Sequence, residues 1–135
     1  VGRPEVILLD THVVVWLVFD AERVSARATL AISDARKSAN GLAISDISLL
    51  ELATLESKGR IQLDTSLESF LREIESRFIV LPISGRACAR ATALPATYPK
   101  DPADRIIGAT ALVDGLSLVT ADREIRRSRA LQTIW

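Results

Sequence analysis

Asp10, Glu51, Asp104 and Asp122 stand out for where they fall along the chain. Asp10 directly follows the apolar run Val6-Ile7-Leu8-Leu9, and Asp122 follows Leu118-Val119-Thr120-Ala121, so each is expected at the carboxyl end of a strand. Asp104 falls in the first turn of a helix opened by Asp101-Pro102, just ahead of the strand that delivers Asp122. Glu51 lies one turn into a helix, on a stripe with Ile47, Leu50 and Leu55. A carboxylate in an apolar stripe faces something other than bulk water. Acids that converge repel one another, and they stay ionised together only when cations lie among them. Hard divalent ions such as Mg²⁺ or Mn²⁺ take carboxylate oxygens and keep several waters of their own. Such a site activates water and offsets charge on a phosphodiester, which makes phosphodiester hydrolysis the indicated chemistry. It needs no histidine.

Each acid also has a plainer reading as a helix cap. Ser48-x-x-Glu51 matches a capping box, Asp104 stands three residues after Asp101, and Asp10 and Asp122 could each cap the helix that follows it. The readings are compatible, because helix starts favour negative charge. His12, the sole histidine, is expected to pack or hydrogen-bond at the rim of the site rather than to react. Asp46 is expected to cap the third helix. Arg105, Arg123, Arg126, Arg127 and Arg129 cluster near two of the acids; they are scattered surface charges or contacts for nucleic-acid phosphates. Cys88, the only cysteine, excludes an internal disulfide and is expected to be a small buried residue.

Positioning these acids requires alternating elements. Strands are predicted at Val6–Leu9, Leu42–Ile44, Phe78–Leu81, Leu116–Val119 and Leu131–Trp135. Helices are predicted at Thr11–Phe19, Ser25–Ser38, Ile47–Lys58, Leu67–Arg77, Gly85–Leu94 and Pro102–Val113. Ser66 and Asp101 supply caps, and Gly41, Gly59 and Gly115 follow helical segments as stops. The pattern predicts one α/β domain over residues 1–135: a three-layer α/β/α sandwich around a mostly parallel sheet of about five strands. In such folds ligands bind beyond the carboxyl ends of the strands, where Asp10 and Asp122 are expected. At 135 residues, 48% hydrophobic and 25% charged, the chain is long and apolar enough to fold around a core. Seventeen basic and seventeen acidic residues cancel, so nucleic-acid binding would rest on local patches. No apolar run is long enough to span a membrane and no secretory pattern is present, so a cytoplasmic protein is expected.

Several segments together carry a resemblance: Leu8-Leu9-Asp10-Thr11-His12 with Trp16, Ser45-Asp46-Ile47-Ser48 leading to Leu50-Glu51, Asp101 through Ala111, Leu118-Val119-Thr120-Ala121-Asp122, and the ending Thr133-Ile134-Trp135. In this order they span nearly the whole chain, which resembles PIN-domain proteins and, among them, the VapC toxins of type II toxin–antitoxin pairs. The resemblance implies a Mg²⁺- or Mn²⁺-dependent endoribonuclease. Asp10, Glu51, Asp104 and Asp122 would be the catalytic, metal-binding carboxylates, supported by Thr11, Thr120 and Asp101. Arg105 and Arg123 are the first candidates for RNA contact. It further implies an RNA substrate, a VapB-type antitoxin that covers the acidic pocket, a homodimer, and a toxin–antitoxin hetero-oligomer. A PIN nuclease of RNA processing and a non-catalytic PIN-fold binding module are the alternatives; the complete acid set counts against the second. One departure is visible: Tyr98-Pro99-Lys100 precedes Asp101 where many relatives carry a histidine.

Overall fold

A computed structural model describes residues 6–38 and 41–135. Its centre is a sheet of five short strands: β1 (Ile7–Leu9), β2 (Leu42–Ser45), β3 (Ile79–Leu81), β4 (Ser117–Val119) and β5 (Thr133–Ile134). Every pairing is parallel, in the order β3-β2-β1-β4-β5. The chain therefore builds outward from β1 to β3, then returns to place β4 on the other flank of β1. The gap between the ends of β1 and β4 is the point where winding reverses, and crevices for ligands open at such points. Asp10 and Thr120 stand there.

Among the described residues seven helices cover the sheet: α1 (Thr11–Phe19), α2 (Ala26–Arg36), α3 (Ile47–Ser57), α4 (Leu67–Arg77), α5 (Gly85–Thr92), α6 (Pro102–Asp114) and α7 (Arg123–Ser128). Alternation along the strands feeds two cores. Ile7, Leu9, Ile44 and Val119 pack with Val13, Val14, Ile32, Leu52 and Ile74, whereas Leu8, Ala43 and Leu118 pack with Tyr98, Ile107 and Ile125. That is the expected three-layer arrangement. Among the described residues no helix is long and apolar enough to cross a membrane.

Local chemistry sets many of the boundaries. Ser66 accepts from the Ser69 amide at 3.1 Å, and Asp101 accepts from the Asp104 amide at 3.1 Å with Pro102 as the first helical residue. Several expectations need correction. A 3₁₀ turn at Ala21–Arg23 is an addition, and α7, implied by the cap reading of Asp122 alone, carries no predicted range; both are too short for a periodic pattern. Gly59 and Gly115 have positive φ, as helix stops do, but Gly41 serves close packing: a Cβ there would lie 1.8 Å from the Ala35 carbonyl oxygen. Cys88 is exposed, because α5 turns Ala87 and Ala91 to the core instead.

Candidate active site

The centre is built from the end of β1. Asp10 is 3% exposed. One of its oxygens accepts from the Thr11 amide at 2.9 Å, which caps α1, and the other accepts from the Thr120 hydroxyl at 2.8 Å. The Thr120 hydroxyl in turn accepts from the Asp122 amide at 3.1 Å. Asp122 caps α7 by accepting from the amides of Glu124 at 2.8 Å and Ile125 at 3.1 Å. Two strand ends are thus tied through one threonine.

Thr11 makes the second tie. Its hydroxyl donates to Oε1 of Glu51 while receiving a bond from Ser48 at 2.8 Å, which links α1 to α3. Ser48 is therefore not the cap partner of Glu51, and the capping-box reading gives way to a site reading. Asp46 occupies the N-cap position of α3 without a side-chain capping bond; its Oδ2 accepts from the Ile83 amide at 3.3 Å. The cap reading of Asp46 is corrected accordingly, since it ties α3 to the segment after β3.

Asp104 arrives from the opposite wall, on the first turn of α6. The buried Tyr98 hydroxyl donates to the Asp104 carbonyl at 2.9 Å, and the Arg105 guanidinium donates to the carbonyls of Ala91 at 3.1 Å and Tyr98 at 3.4 Å. Gly108 makes room for this phenol: a Cβ there would sit 2.2 Å from the Tyr98 hydroxyl oxygen. The departure at Tyr98 is thus an internal brace for α6. Arg105, expected to reach RNA, is instead committed to backbone carbonyls behind the site.

Asp10, Thr11, Glu51, Asp101 and Asp104 line a groove of about 830 Å³, whose apolar part includes Trp16, Ile47, Leu50 and Leu55. Asp122 is not among the lining residues and is linked to the groove through Thr120, which bonds both its amide and Asp10. The α3 stripe therefore faces the groove, with Ile47 also touching the core of Leu8 and Ile107, and Leu50 remains 62% exposed. Sequence reasoning missed three cations of this groove: Arg23, which lies over the Trp16 ring at 4.3 Å, Lys58 and Arg60. Lys58 was findable, being two helical turns beyond Glu51 on the same face. His12 sits at the rim as expected: its Nε2 accepts from the Ala121 amide at 2.9 Å, and its ring packs edge-on to Trp16.

Burial and mutual repulsion raise the affinity of these acids for protons. Desolvation pushes Asp104 up to about 7, aided by the charges of Asp10, Asp101, Asp122 and Glu51. Desolvation likewise raises Asp10, against the lowering effects of His12 and Thr120, and raises Glu51 against the bond from Thr11. Among the described residues no three acidic, histidine or cysteine side chains close tightly enough to cage an ion alone. An all-oxygen, half-open set of mutually repelling acids fits a hydrated Mg²⁺ or Mn²⁺, which is held by one or two carboxylates and completes its shell with water and phosphate.

Comparison with known proteins agrees with this geometry. The PIN-domain profile matches residues 7–131. The chain is 40% identical over 131 residues to Ribonuclease VapC22 of Mycobacterium tuberculosis, covering 96% of this chain and 98% of that one. In fold it is similar to a DNA-bound VapBC from Salmonella typhimurium, with a TM-score of 0.72 and 20% identity over 96% of each chain. It is also similar to VapBC2 from Rickettsia felis bound to a promoter DNA fragment, with a TM-score of 0.70 and 19% identity over 95% of this chain and 96% of that one. The chain belongs to the PIN-domain family and, within it, to the VapC ribonuclease branch.

Proposed function

We propose that this chain is a Mg²⁺- or Mn²⁺-dependent endoribonuclease and the toxin of a type II toxin–antitoxin pair. The observation that carries the reading is Asp10, buried at the switch point of the sheet and fixed there by Thr11 and Thr120 beside Glu51 and Asp104. Asp10, Glu51, Asp104 and Asp122 would hold the ion or ions. Bound there, a divalent ion supplies Lewis acidity and offsets the charge that develops on a phosphodiester during attack by water. Thr120 and Thr11 keep Asp10 and Glu51 in fixed rotamers, and Asp101 and Tyr98 hold the turn that presents Asp104. Arg123, next to Asp122 and exposed, is available to an RNA phosphate.

The same groove accounts for control by a partner. Its apolar stretch around the exposed Leu50 suits a segment of a VapB-type antitoxin, and its acids suit a basic side chain of that segment. The family relationship supports a homodimer that joins antitoxin chains in a hetero-oligomer, with the cytoplasm as the compartment where RNA and antitoxin are met. Cleavage of cellular RNA by the purified chain tests the reading against Asp10→Asn and Asp104→Asn, each with Mg²⁺ or Mn²⁺ and with chelator. Each variant is expected to lose at least ~100-fold, the upper range for disturbing even an outer partner of a metal site. Undiminished cleavage by either variant, or by the wild type in chelator, overturns it.

A further inference from the structure

Beyond the groove, α7 carries a concentration of positive charge that the acid site does not use. Arg123, Arg126, Arg127 and Arg129 alone line a shallow cavity of about 380 Å³, and all four are exposed. Among the described residues none of them forms an ion pair with a carboxylate. Arg123, Arg126 and Arg127 are three and four residues apart on one helical face, a spacing at which like charges repel. Arg129 adopts a left-handed backbone at φ 54°, ψ 21°, where glycine or asparagine is the cheaper choice. That conformation brings a fourth guanidinium to the same cavity. The repulsion among these like charges is relieved by an anion with several charges.

Position narrows the anion. α7 starts at Asp122, whose amide is bonded to Thr120 and through it to Asp10. At 1.5 Å per residue its six residues extend only ~9 Å from the acids. The helix follows β4 and so lies on the β5 side of the switch point, whereas the groove with Lys58 and Arg60 opens between α1 and α3. Cations therefore flank the acids on two sides.

Building on the ribonuclease reading, we infer that the α7 arginines form a phosphate subsite for the RNA strand on one side of the cut, with the groove holding the other. The strand crosses the carboxyl edge of the sheet and is gripped on both sides of the scissile bond. Recognition here is of backbone charge, not of bases, since arginine contacts to phosphates position a strand without reading it.

Binding of single-stranded poly(U) as a function of salt tests the subsite, using the full chain carrying Asp104→Asn so that RNA survives. Arg126→Gln with Arg127→Gln is expected to shallow the plot of log K against log salt by about 0.7 for each phosphate no longer neutralised. Arg86→Gln with Arg90→Gln, which removes two exposed charges from α5, is expected to keep the parent slope. Equal loss in both doubles would make the effect one of overall charge and overturn the subsite, as would an unchanged slope in the α7 double. Polyglutamate serves as the acidic-protein arm. If it binds the parent as tightly as poly(U) and depends equally on Arg126 and Arg127, the surface is one for an acidic partner and the RNA assignment falls. Should the wild-type chain fail to cut RNA with Mg²⁺ or Mn²⁺, the ribonuclease reading fails instead, a result separable from any change in salt slope.

Discussion

Asp10 and Asp104 face one groove and are held by opposite means. Asp10 closes a central strand, and both of its oxygens are fixed by hydrogen bonds from Thr11 and Thr120. The Asp104 carboxylate has no hydrogen-bond donor among the described residues; what is fixed is its backbone, through Asp101 on the amide and Tyr98 on the carbonyl. One carboxylate is therefore locked by donors, whereas the other is positioned through its backbone and takes no protein donor on its oxygens. The difference shows in their protonation, since hydrogen bonds lower the affinity of Asp10 for a proton, whereas Asp104 feels desolvation and four neighbouring acids.

Removing the Thr120 hydroxyl attacks the rigid half most directly. Thr120→Val leaves Asp10 short of a donor and the Asp122 amide without its acceptor, at a cost of ~1–3 kcal/mol for a buried charged acceptor. Activity should also fall ~10–100-fold, as it does when outer partners of metal ligands are removed. Denaturant unfolding and the Mg²⁺ dependence of cleavage measure the two effects, and wild-type behaviour in both would mean that Asp10 needs no support.

Gly108→Ala strikes the braced half. The added methyl meets the Tyr98 hydroxyl, and overpacking of this kind costs ~1–3 kcal/mol even though alanine is the better helix former. A thermal melt at or above that of the wild type would show that the notch is dispensable.

A pH dependence separates the halves. With Asp104 titrating near 7 in the folded chain against 3.8 for the free group, the native state binds the extra proton between those values. In chelator, its contribution to stability is present below about 4 and is lost as pH rises through about 7. Asp104→Asn should flatten that part of the profile, and saturating Mg²⁺ should raise the melting temperature at pH 7 by binding the native state. A chelator-treated wild type that gains stability from pH 4 to 7 as steeply as Asp104→Asn contradicts the assignment.

Much of the frame was legible from residue order. The strands, six of the seven helices and the parallel, three-layer arrangement followed from apolar runs broken by capping residues. Asp10, directly after β1, and Asp122, three residues past β4, were legible because residues just beyond a parallel strand fall at the functional edge whatever lies beside them. Glu51 was half legible: its stripe was visible, but whether that stripe faced core or groove depends on where α1 and α6 pack. Arg105 was misjudged because a charged residue beside an acid reads the same whether it faces solvent or folds back on carbonyls of α5. The short α7 was missed, although Asp122 supplied its cap, since six residues do not complete two turns of pattern.

The sequence alone determined what short-range chemistry controls. That covers which segments are strands or helices, where serine and aspartate begin the helices, and which acids stand at their ends. Tertiary structure alone decided that Thr120, distant in the chain, secures Asp10, that Thr11 and Ser48 orient Glu51, and that Gly108 yields its volume to Tyr98. The division has a physical cause. Caps and strand ends are satisfied within a few residues of chain, whereas a buried carboxylate must find its donors across the sheet, and only the packed fold brings them within 3 Å.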